Sequence, residues 1–341
     1  MQRCFQLALK GQGRVSPNPM VGAVLVHEHR IIGEGFHQQY GESHAEVNCL
    51  ASVAETDKQW IASSTLYVSL EPCSHFGKTP PCADLIIRHG IPRVVISVTD
   101  PSEKVAGKGI LRLRDAGIEV TTGILEREGR QINQRFFTHT LLQRPYVILK
   151  WAQSEDGYLS AKGKQSKLSN AYSDRLVHQW RHEEDAISVG YRTAMIDDPQ
   201  LNCRLFPGKD PLRVIYDRDL SLPATLHLFD HRQSTIVYNL KDDRTEDKLI
   251  HHRLEAQNTL PQLLRDLAAR NISSMLVEGG ASWLNEFLIH DLWDEIRVIQ
   301  TPVMLNDGVL APALPNQAQL TDTITLMNDQ ISFYRRAETV L

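Results

Sequence analysis

Short apolar runs rich in β-branched residues alternate with helical stretches along the whole chain, and the alternation restarts at Arg144-Pro145. Alternating strand and helix patterns favour layered α/β domains, in which helices cover the faces of a sheet. Pro145 ends the preceding helical stretch, because the residue before a proline is disfavoured in the α conformation. A chain of 341 residues has a length typical of about two domains. We therefore expect two α/β domains, residues 1–143 and 144–341.

The predicted elements follow this alternation. The first half begins with a hairpin, whose first strand spans 21–26 and whose second strand begins at 31. Further strands are predicted over 65–69, 94–98 and 118–121, and helices over 44–54, 83–89 and 107–116. In the second half they are strands over 146–149, 186–189, 212–216, 235–238, 275–277 and 295–299, and helices over 172–181, 260–269 and 283–290.

Composition excludes several classes of protein. The net charge of −4 argues against a protein that binds nucleic acid by neutralising phosphates, which requires a basic face. No run of about 18 apolar residues and no cleavable leader is present. The five cysteines are too few for a chain of this length to form a disulfide framework, and their odd number would leave one unpaired. We expect no nucleic-acid partner, no membrane association and a cytoplasmic location.

Three potential metal ligands occur at helix and strand ends. His44 begins a predicted helix, while Cys73 and Cys82 lie between the next strand and helix. One imidazole and two thiolates suit zinc, and three protein ligands leave the fourth position open for water, as a catalytic site requires. Glu46, two residues after the histidine, is placed to move protons rather than to bind the metal.

A His-x-Glu motif followed by Pro-Cys and a second cysteine is the signature of zinc nucleobase deaminases. Here eight residues separate the cysteines instead of two, and the resulting PCSHFGKTPPC segment resembles the deaminase half of the bifunctional riboflavin-biosynthesis deaminase/reductase family. Residues 16–24, SPNPMVGAV, are similar to that family as well. The resemblance implies a cytidine-deaminase-like three-layer domain, with substrate-binding residues at Asn18, His37, His75 and Lys78.

Residues 100–109 resemble a further loop of the family, with one departure. Ser102-Glu103 stands where the family usually has Asn-Pro. The family's asparagine, which the resemblance makes a substrate contact, is thus absent, although the serine in its place can still form hydrogen bonds.

The second half resembles the reductase domain of the same family, a relative of dihydrofolate reductase. The likeness is carried by residues 144–150, 154–157, 177–181, 186–190, 193, 197–204 and 277–280. Gly279-Gly280 lies between a predicted strand and helix, where backbone N–H groups and the helix dipole can receive a cofactor phosphate. The resemblance implies NADPH as cofactor. It places the sugar phosphate on Arg181, Leu201, Arg204 and Glu278, and NADPH on Lys150, Ala152, Lys167, Thr193, Asp197, Gly279 and Gly280, with Lys150 at the end of the first strand.

The implied activities are two consecutive steps. A hydrolase removes an amino group from 2,5-diamino-6-ribosylamino-4(3H)-pyrimidinone 5′-phosphate. An oxidoreductase then converts the ribosyl group of the product to ribityl with NADPH. The expected partner is this small pyrimidine ribosylamino phosphate, together with a homo-oligomer formed through the reductase domain.

Three alternative functions are also considered. Residues 164–170, KQSKLSN, depart from the family, with Lys167 where a cofactor-lining tryptophan is expected. This departure motivates a zinc deaminase with a noncatalytic reductase-like domain. A tRNA base editor is disfavoured by the net acidity and the long cysteine spacer. A noncatalytic zinc-stabilised interaction protein predicts a fourth protein ligand, which the sequence does not offer.

Overall fold

The computed structural model describes residues 1–74, 80–102, 105–162 and 166–337. It divides into two units, of which the first spans Met1–Gln143 and the second begins at Arg144. Each unit consists of a sheet covered by helices, which confirms the predicted α/β class. None of the helices in the described ranges combines the length and the hydropathy needed to cross a bilayer.

The first unit contains one mixed sheet. Its strands are β1 (Gly22–His27), β2 (Arg30–Phe36), β3 (Thr65–Leu70), β4 (Arg93–Val98) and β5 (Glu119–Thr121), and its helices are α1 (Gln2–Ala8), α2 (Ala45–Ala51), α3 (Cys82–Arg88), α4 (Lys108–Asp115), α5 (Glu126–Ile132) and α6 (Gln134–Leu142). The strand order is β2-β1-β3-β4-β5. Strand β1 is antiparallel to both neighbours, while β3, β4 and β5 are parallel.

Helices cover both faces of this sheet. Ala23 and Leu25 of β1 belong to the core formed with α2, α3 and α4, whereas Val24 points to the opposite face and packs with α1. This alternation is the period of two expected of a strand. Because β3 and β4 are parallel, the segments that follow them begin at the same edge of the sheet, and the candidate metal ligands lie there.

The second unit contains a larger sheet. Its strands are β6 (Tyr146–Gln153), β7 (Tyr158–Ser160), β8 (Ala186–Val189), β9 (Leu212–Tyr216), β10 (Thr235–Asn239), β11 (Arg244–Glu246), β12 (Leu249–Arg253), β13 (Ser274–Glu278), β14 (Glu295–Gln300), β15 (Val309–Leu310), β16 (Ala318–Leu326) and β17 (Asp329–Arg336), and its helices are α7 (Ala171–Glu183), α8 (Tyr191–Asp197), α9 (Thr259–Ala269) and α10 (Ala281–Ile289). In the described part of the chain the order is β11-β12-β10-β9-β8-β13-β6-β14-β17-β16, with β7 and β15 as a separate pair.

The central strands of this sheet are parallel and buried on both faces. Val147 and Leu149 of β6 pack in the core formed with α9 and α10, whereas Tyr146 and Ile148 pack with Trp180 of α7 on the other face. Strands β6, β8 and β13 are parallel neighbours, so their carboxyl ends meet at one edge. The turns that follow β8 and β13 form part of the cavity described below.

Several predicted boundaries are wrong. The helix predicted over 44–54 ends at Ala51, and a 3-10 helix over Glu55–Ser63 follows. The strand predicted over 146–149 continues to Gln153, because β14 pairs with β6 up to that residue. Lys150 therefore lies inside the strand, opposite Glu278 of β13, and not at its end.

Candidate metal centre and cofactor cavity

Three potential ligands converge in the first unit. The donor atoms of His44, Cys73 and Cys82 all lie within 4.8 Å of one another. The His44 Nδ1 atom is 3.5 Å from Cys73 Sγ and 3.4 Å from Cys82 Sγ. No further His, Cys, Asp or Glu side chain joins this group among the residues that the structure describes. Two sulfurs and one nitrogen with an open fourth position are a donor set that fits catalytic zinc.

Local structure explains why these side chains are available. His44 precedes α2 with an extended backbone, and its side chain makes no capping hydrogen bond. Cys82 is the first residue of α3, and Cys73 follows the end of β3. The interaction with Cys82 lowers the pKa of Cys73 to about 4 against the opposing effect of burial. The Cys73 side chain therefore favours the thiolate form, which is the form that binds metal.

Glu46 lies in the first turn of α2, beside the three potential ligands. Its side chain is buried, with 3% exposure. Burial, reinforced by the negative charge of the Cys73 thiolate, raises the pKa of Glu46 to about 7. The Glu46 carboxyl group therefore lies next to the metal ligands, is not a ligand itself, and has a pKa suited to proton transfer near neutral pH.

Asn18 and His37 form a pair next to the metal ligand His44. The Asn18 amide nitrogen is 3.1 Å from His37 Nε2, and His37 Nδ1 is 3.1 Å from the Ser43 carbonyl oxygen. Burial lowers the pKa of His37, which favours the neutral ring. In the tautomer that satisfies both contacts, Nδ1 donates to Ser43 and Nε2 accepts from Asn18. The His37 ring also meets the His44 ring edge-on, with centroids 5.5 Å apart.

The second unit contains a cavity of about 920 Å³. Nearly all residues that the resemblance assigns to cofactor or sugar phosphate line it: Lys150, Ala152, Lys167, Arg181, Thr193, Asp197, Leu201, Glu278, Gly279 and Gly280. The volume is at the upper end of the usual range for small-molecule sites, roughly 300–1,000 Å³. The cavity therefore has room for a large cofactor.

A buried ion-pair group lies at the wall of this cavity. Arg181 donates two hydrogen bonds to the Glu278 carboxylate, at 2.7 and 3.0 Å, and a third to the Asn202 carbonyl at 3.0 Å. Lys150 Nζ is 3.7 Å from the same carboxylate. Burial opposes the charge of Glu278, but the two cations outweigh it and hold the pKa of Glu278 at about 2. Burial also lowers the pKa of Lys150, against the effect of Glu278.

The turn after β13 is shaped for close approach of a ligand. Gly279 and Gly280 have φ of +85° and +76°, a region that glycine tolerates best. A Cβ atom at position 280 would lie 2.8 Å from Thr193 Oγ1 and 3.9 Å from Gly190 Cα. The turns that follow two neighbouring parallel strands, β8 and β13, thus meet here. Backbone N–H groups at such a turn can receive a phosphate.

Comparison with known proteins identifies both halves. The family described as "RibD C-terminal domain" matches residues 145–332, more than half of the chain. The family described as "Cytidine and deoxycytidylate deaminase zinc-binding region" matches residues 1–98. The riboflavin biosynthesis protein RibD of Aquifex aeolicus is 40% identical over 91% of this chain and 88% of its own length. The RibD protein of Bacillus amyloliquefaciens is 41% identical, with 92% and 86% covered. The chain belongs to the RibD family.

A solved RibD-type structure has the same fold. The diaminohydroxyphosphoribosylaminopyrimidine deaminase/5-amino-6-(5-phosphoribosylamino)uracil reductase of Thermotoga maritima superimposes with a TM-score of 0.90 at 36% identity, covering 98% of this chain and 97% of that chain. The predicted architecture, a cytidine-deaminase-like domain followed by a dihydrofolate-reductase-like domain, is confirmed. Zinc and NADPH are the cofactors of a RibD protein with these two domains.

The structure does not bring every candidate residue into a site. Arg204 is exposed, donates to Asn202 at 3.0 Å and is absent from the cavity lining given for the described residues. His75 and Lys78 lie outside the described residues, as do Glu103 and Gln165. Lys167 lines the cavity, but its side chain is 77% exposed and pairs with Asp174 at 3.3 Å.

Two residues near the sites were not predicted from sequence. Glu71 is a buried carboxylate that binds four backbone N–H groups. His178, next to the Arg181 group, is buried, and its Nδ1 has no hydrogen-bond partner in the part of the chain that the structure describes. The Leu-Glu-Pro-Cys run indicates where such a residue could be found, because a charged residue directly after an apolar strand needs a hydrogen-bonding partner if it is buried.

Proposed function

We propose that this chain catalyses two consecutive reactions of riboflavin biosynthesis. The first unit hydrolytically deaminates 2,5-diamino-6-ribosylamino-4(3H)-pyrimidinone 5′-phosphate to 5-amino-6-(5-phosphoribosylamino)uracil and ammonia. The second unit reduces the ribosyl group of that product to ribityl with NADPH. The observation that carries the proposal is the convergence of His44, Cys73 and Cys82 beside the buried Glu46.

In the first unit, His44, Cys73 and Cys82 would hold the zinc ion. When bound there, zinc supplies a Lewis acid that makes hydrolysis feasible at neutral pH. Glu46 takes a proton from the attacking water and delivers it to the departing amine, a role that its place beside the ligands supports. In this reaction a C–N bond breaks, a C–O bond forms, and ammonia leaves.

Asn18 and His37 would position the pyrimidine. The Asn18 amide nitrogen faces His37 Nε2, and its amide oxygen would accept a hydrogen bond from an amino or ring N–H group of the pyrimidine. His75 and Lys78 remain proposed substrate contacts from the family resemblance.

In the second unit, the turn at Gly279-Gly280 and Thr193 would hold the cofactor phosphates, with Ala152, Lys167 and Asp197 along the remaining wall. NADPH supplies the hydride when bound. The paired Arg181 and Glu278, together with Leu201, would hold the sugar phosphate substrate, and Lys150 beside them would contact NADPH. Arg204 remains a proposed phosphate contact on the exposed side of Asn202.

The test is removal and return of the metal. After treatment with a chelator, we expect ammonia release to fall to background and to return with added Zn²⁺, because the three ligands lie only in the first unit. Reduction of the deaminated intermediate by NADPH should be unaffected by either treatment. Undiminished ammonia release from a protein shown to be free of zinc would refute the deaminase assignment.

Family membership disfavours the reading in which the second domain is noncatalytic. Two further features of the molecule are part of the proposal. A cytoplasmic, reducing location is supported by the need of Cys73 and Cys82 for free thiols. Association through the second unit is supported by strand β16 at the edge of its sheet, where Leu320 is exposed. That the protein has no nucleic-acid partner stays a prediction.

A further inference from the structure

We propose that Glu71 is the positioning residue of the metal centre, and that it fixes Cys73 relative to the other two ligands. This inference rests on the proposed deaminase function. Glu71 follows β3 directly and precedes Cys73 by two residues. Its side chain is 4% exposed. It is not a member of the ligand group among the described residues.

The Glu71 carboxylate is fully engaged by backbone. Oxygen Oε2 accepts from the N–H groups of Asp100 at 3.2 Å and Gly107 at 3.0 Å. Oxygen Oε1 accepts from Gly109 at 2.9 Å and Ile110 at 3.2 Å. A buried carboxylate is costly unless such contacts satisfy it, and hydrogen bonds to a charged acceptor are stronger than neutral ones. One side chain therefore joins the segment after β3 to the segment after β4 and to the first turn of α4.

Main-chain contacts reinforce this joint. The Glu71 N–H donates to the Val98 carbonyl at 2.9 Å, which continues the pairing of the two parallel strands beyond the end of β3. Gly109 approaches Pro72 so closely that a Cβ atom at position 109 would lie 2.0 Å from the Pro72 carbonyl oxygen. The residue directly before Cys73 is thus packed against α4 with no space for a side chain.

Helix α4 also contacts the segment that carries the third ligand. Arg112 of α4 donates to the Ser74 carbonyl at 3.4 Å and pairs with the Asp84 carboxylate at 2.5 Å. Ser74 is the neighbour of Cys73, and Asp84 belongs to α3, which begins at Cys82. Helix α4 therefore touches the chain beside both cysteines, and Glu71 holds the start of that helix in place.

This arrangement matters because a tetrahedral site tolerates little displacement of its ligands. Cys73 does not lie inside a regular helix or strand, but its carbonyl accepts from the Ala83 N–H at 3.1 Å and its Sγ accepts from the Cys82 N–H at 3.3 Å. Residues that orient metal ligands from outside the ligand set usually change metal affinity or activity by about 10- to 100-fold when replaced. The contacts with Ala83 and Cys82 join Cys73 to the start of α3, whereas Glu71 joins the chain on the other side of Cys73 to the segment after β4 and to α4.

The experiment compares Glu71→Gln with the unaltered protein and with Glu55→Gln, a control at an exposed glutamate of the same unit. In either orientation of the amide, its NH₂ group faces two backbone donors. We expect zinc affinity, measured by competition with a chelator, to fall about 10- to 100-fold. The visible spectrum of the cobalt-substituted protein should shift, because the ligand geometry changes. Glu55→Gln should leave both readouts unchanged.

Unchanged zinc affinity and an unchanged cobalt spectrum in Glu71→Gln would overturn the inference. Far-UV circular dichroism checks that the variant is folded. If it is not, Glu71→Asp is measured instead, since a carboxylate one methylene shorter keeps the charge but cannot reach all four N–H groups, and full affinity in that variant would equally overturn the inference. Zinc binding is read without turnover, so a failure of the proposed function, seen as no ammonia from the unaltered protein, is a separate result.

Discussion

Glu46 has a chemical task that its surroundings support. It is buried in the first turn of α2, beside the three potential ligands, and is not a member of the ligand group among the described residues. We expect Glu46→Gln to lower ammonia release by about 10²- to 10⁴-fold, because the amide cannot move a proton. Zinc content, measured on the purified variant, should stay near one ion per chain. Ammonia release at the unaltered rate would exclude the proton-transfer role.

His178 provides a pH-dependent contribution to stability. Burial, followed by the charges of Arg181 and Arg204, lowers the pKa of His178 to about 4, from 6.5 in the unfolded chain. Between these values the unfolded state binds more protons than the folded state, so the free energy of unfolding falls as pH drops from about 6.5 to about 4. The loss is on the order of 2 kcal/mol.

Replacing His178 by Gln should remove this part of the pH dependence. The measurement is urea unfolding at pH 7 and pH 4.5, followed by tryptophan fluorescence, to which Trp151, Trp180, Trp283 and Trp293 of the second unit contribute. An exposed histidine, His290, serves as the control in His290→Gln. Equal pH slopes in His178→Gln and the unaltered protein would contradict the prediction.

For single residues, the sequence predicts the metal ligands better than it predicts the residues that hold those ligands in position. His44, Glu46, Cys73 and Cys82 follow from a motif with a chemical reason for each residue. Glu71 could not be assigned a role, because its four partners lie 29 to 39 residues away in the chain and are backbone groups. Lys150 was misplaced at a strand end because the pairing partner that extends β6, strand β14, is distant in sequence.

Among the elements, the turn between β13 and α10 carries the most specific prediction. Gly280 has φ of +76°, and an added Cβ would lie 2.8 Å from Thr193 Oγ1. Gly280→Ala should therefore strain the turn by about 1–3 kcal/mol and narrow the phosphate site. We expect NADPH affinity, measured by fluorescence titration, to fall at least about tenfold, the equivalent of 1.4 kcal/mol.

A matched control exists for this variant. Gly157 has φ of +84° and nothing within 4 Å of an added Cβ, and it lies outside the cavity lining among the described residues. Gly157→Ala should lose stability from the same backbone strain but keep its NADPH affinity. Equal affinities in the two variants would show that the turn after β13 does not hold the cofactor.

The elements that the sequence predicts are those with strong apolar patterns. The central strands of both sheets are near-continuous apolar runs and were assigned within a few residues. The sequence analysis does not predict strand β16, because most of its residues are exposed and β17 is its only sheet partner in the described part of the chain. The sequence analysis does not predict helices α1 and α8 either, each of which has seven residues.

For the whole molecule, alternation of strands and helices is sufficient to predict the α/β class, since each sheet must be covered by helices. It does not predict strand order. In the second unit β8 lies between β9 and β13, and β6 between β13 and β14, so contacts between distant segments decide the arrangement. The sites depend on this order, because the turns after β8 and β13 meet only where those strands are neighbours.

The proposed function assigns two reactions to one chain, and a two-stage assay tests both of them directly. The zinc-loaded protein is given the diaminopyrimidinone ribosylamino phosphate while ammonia is followed, and NADPH is then added while its absorbance is followed. We expect ammonia release in the first stage and, in the second, oxidation of NADPH as the deaminated product is reduced. Release of ammonia without any later loss of NADPH would contradict the proposed function, since the second unit would then be a reductase fold without the activity.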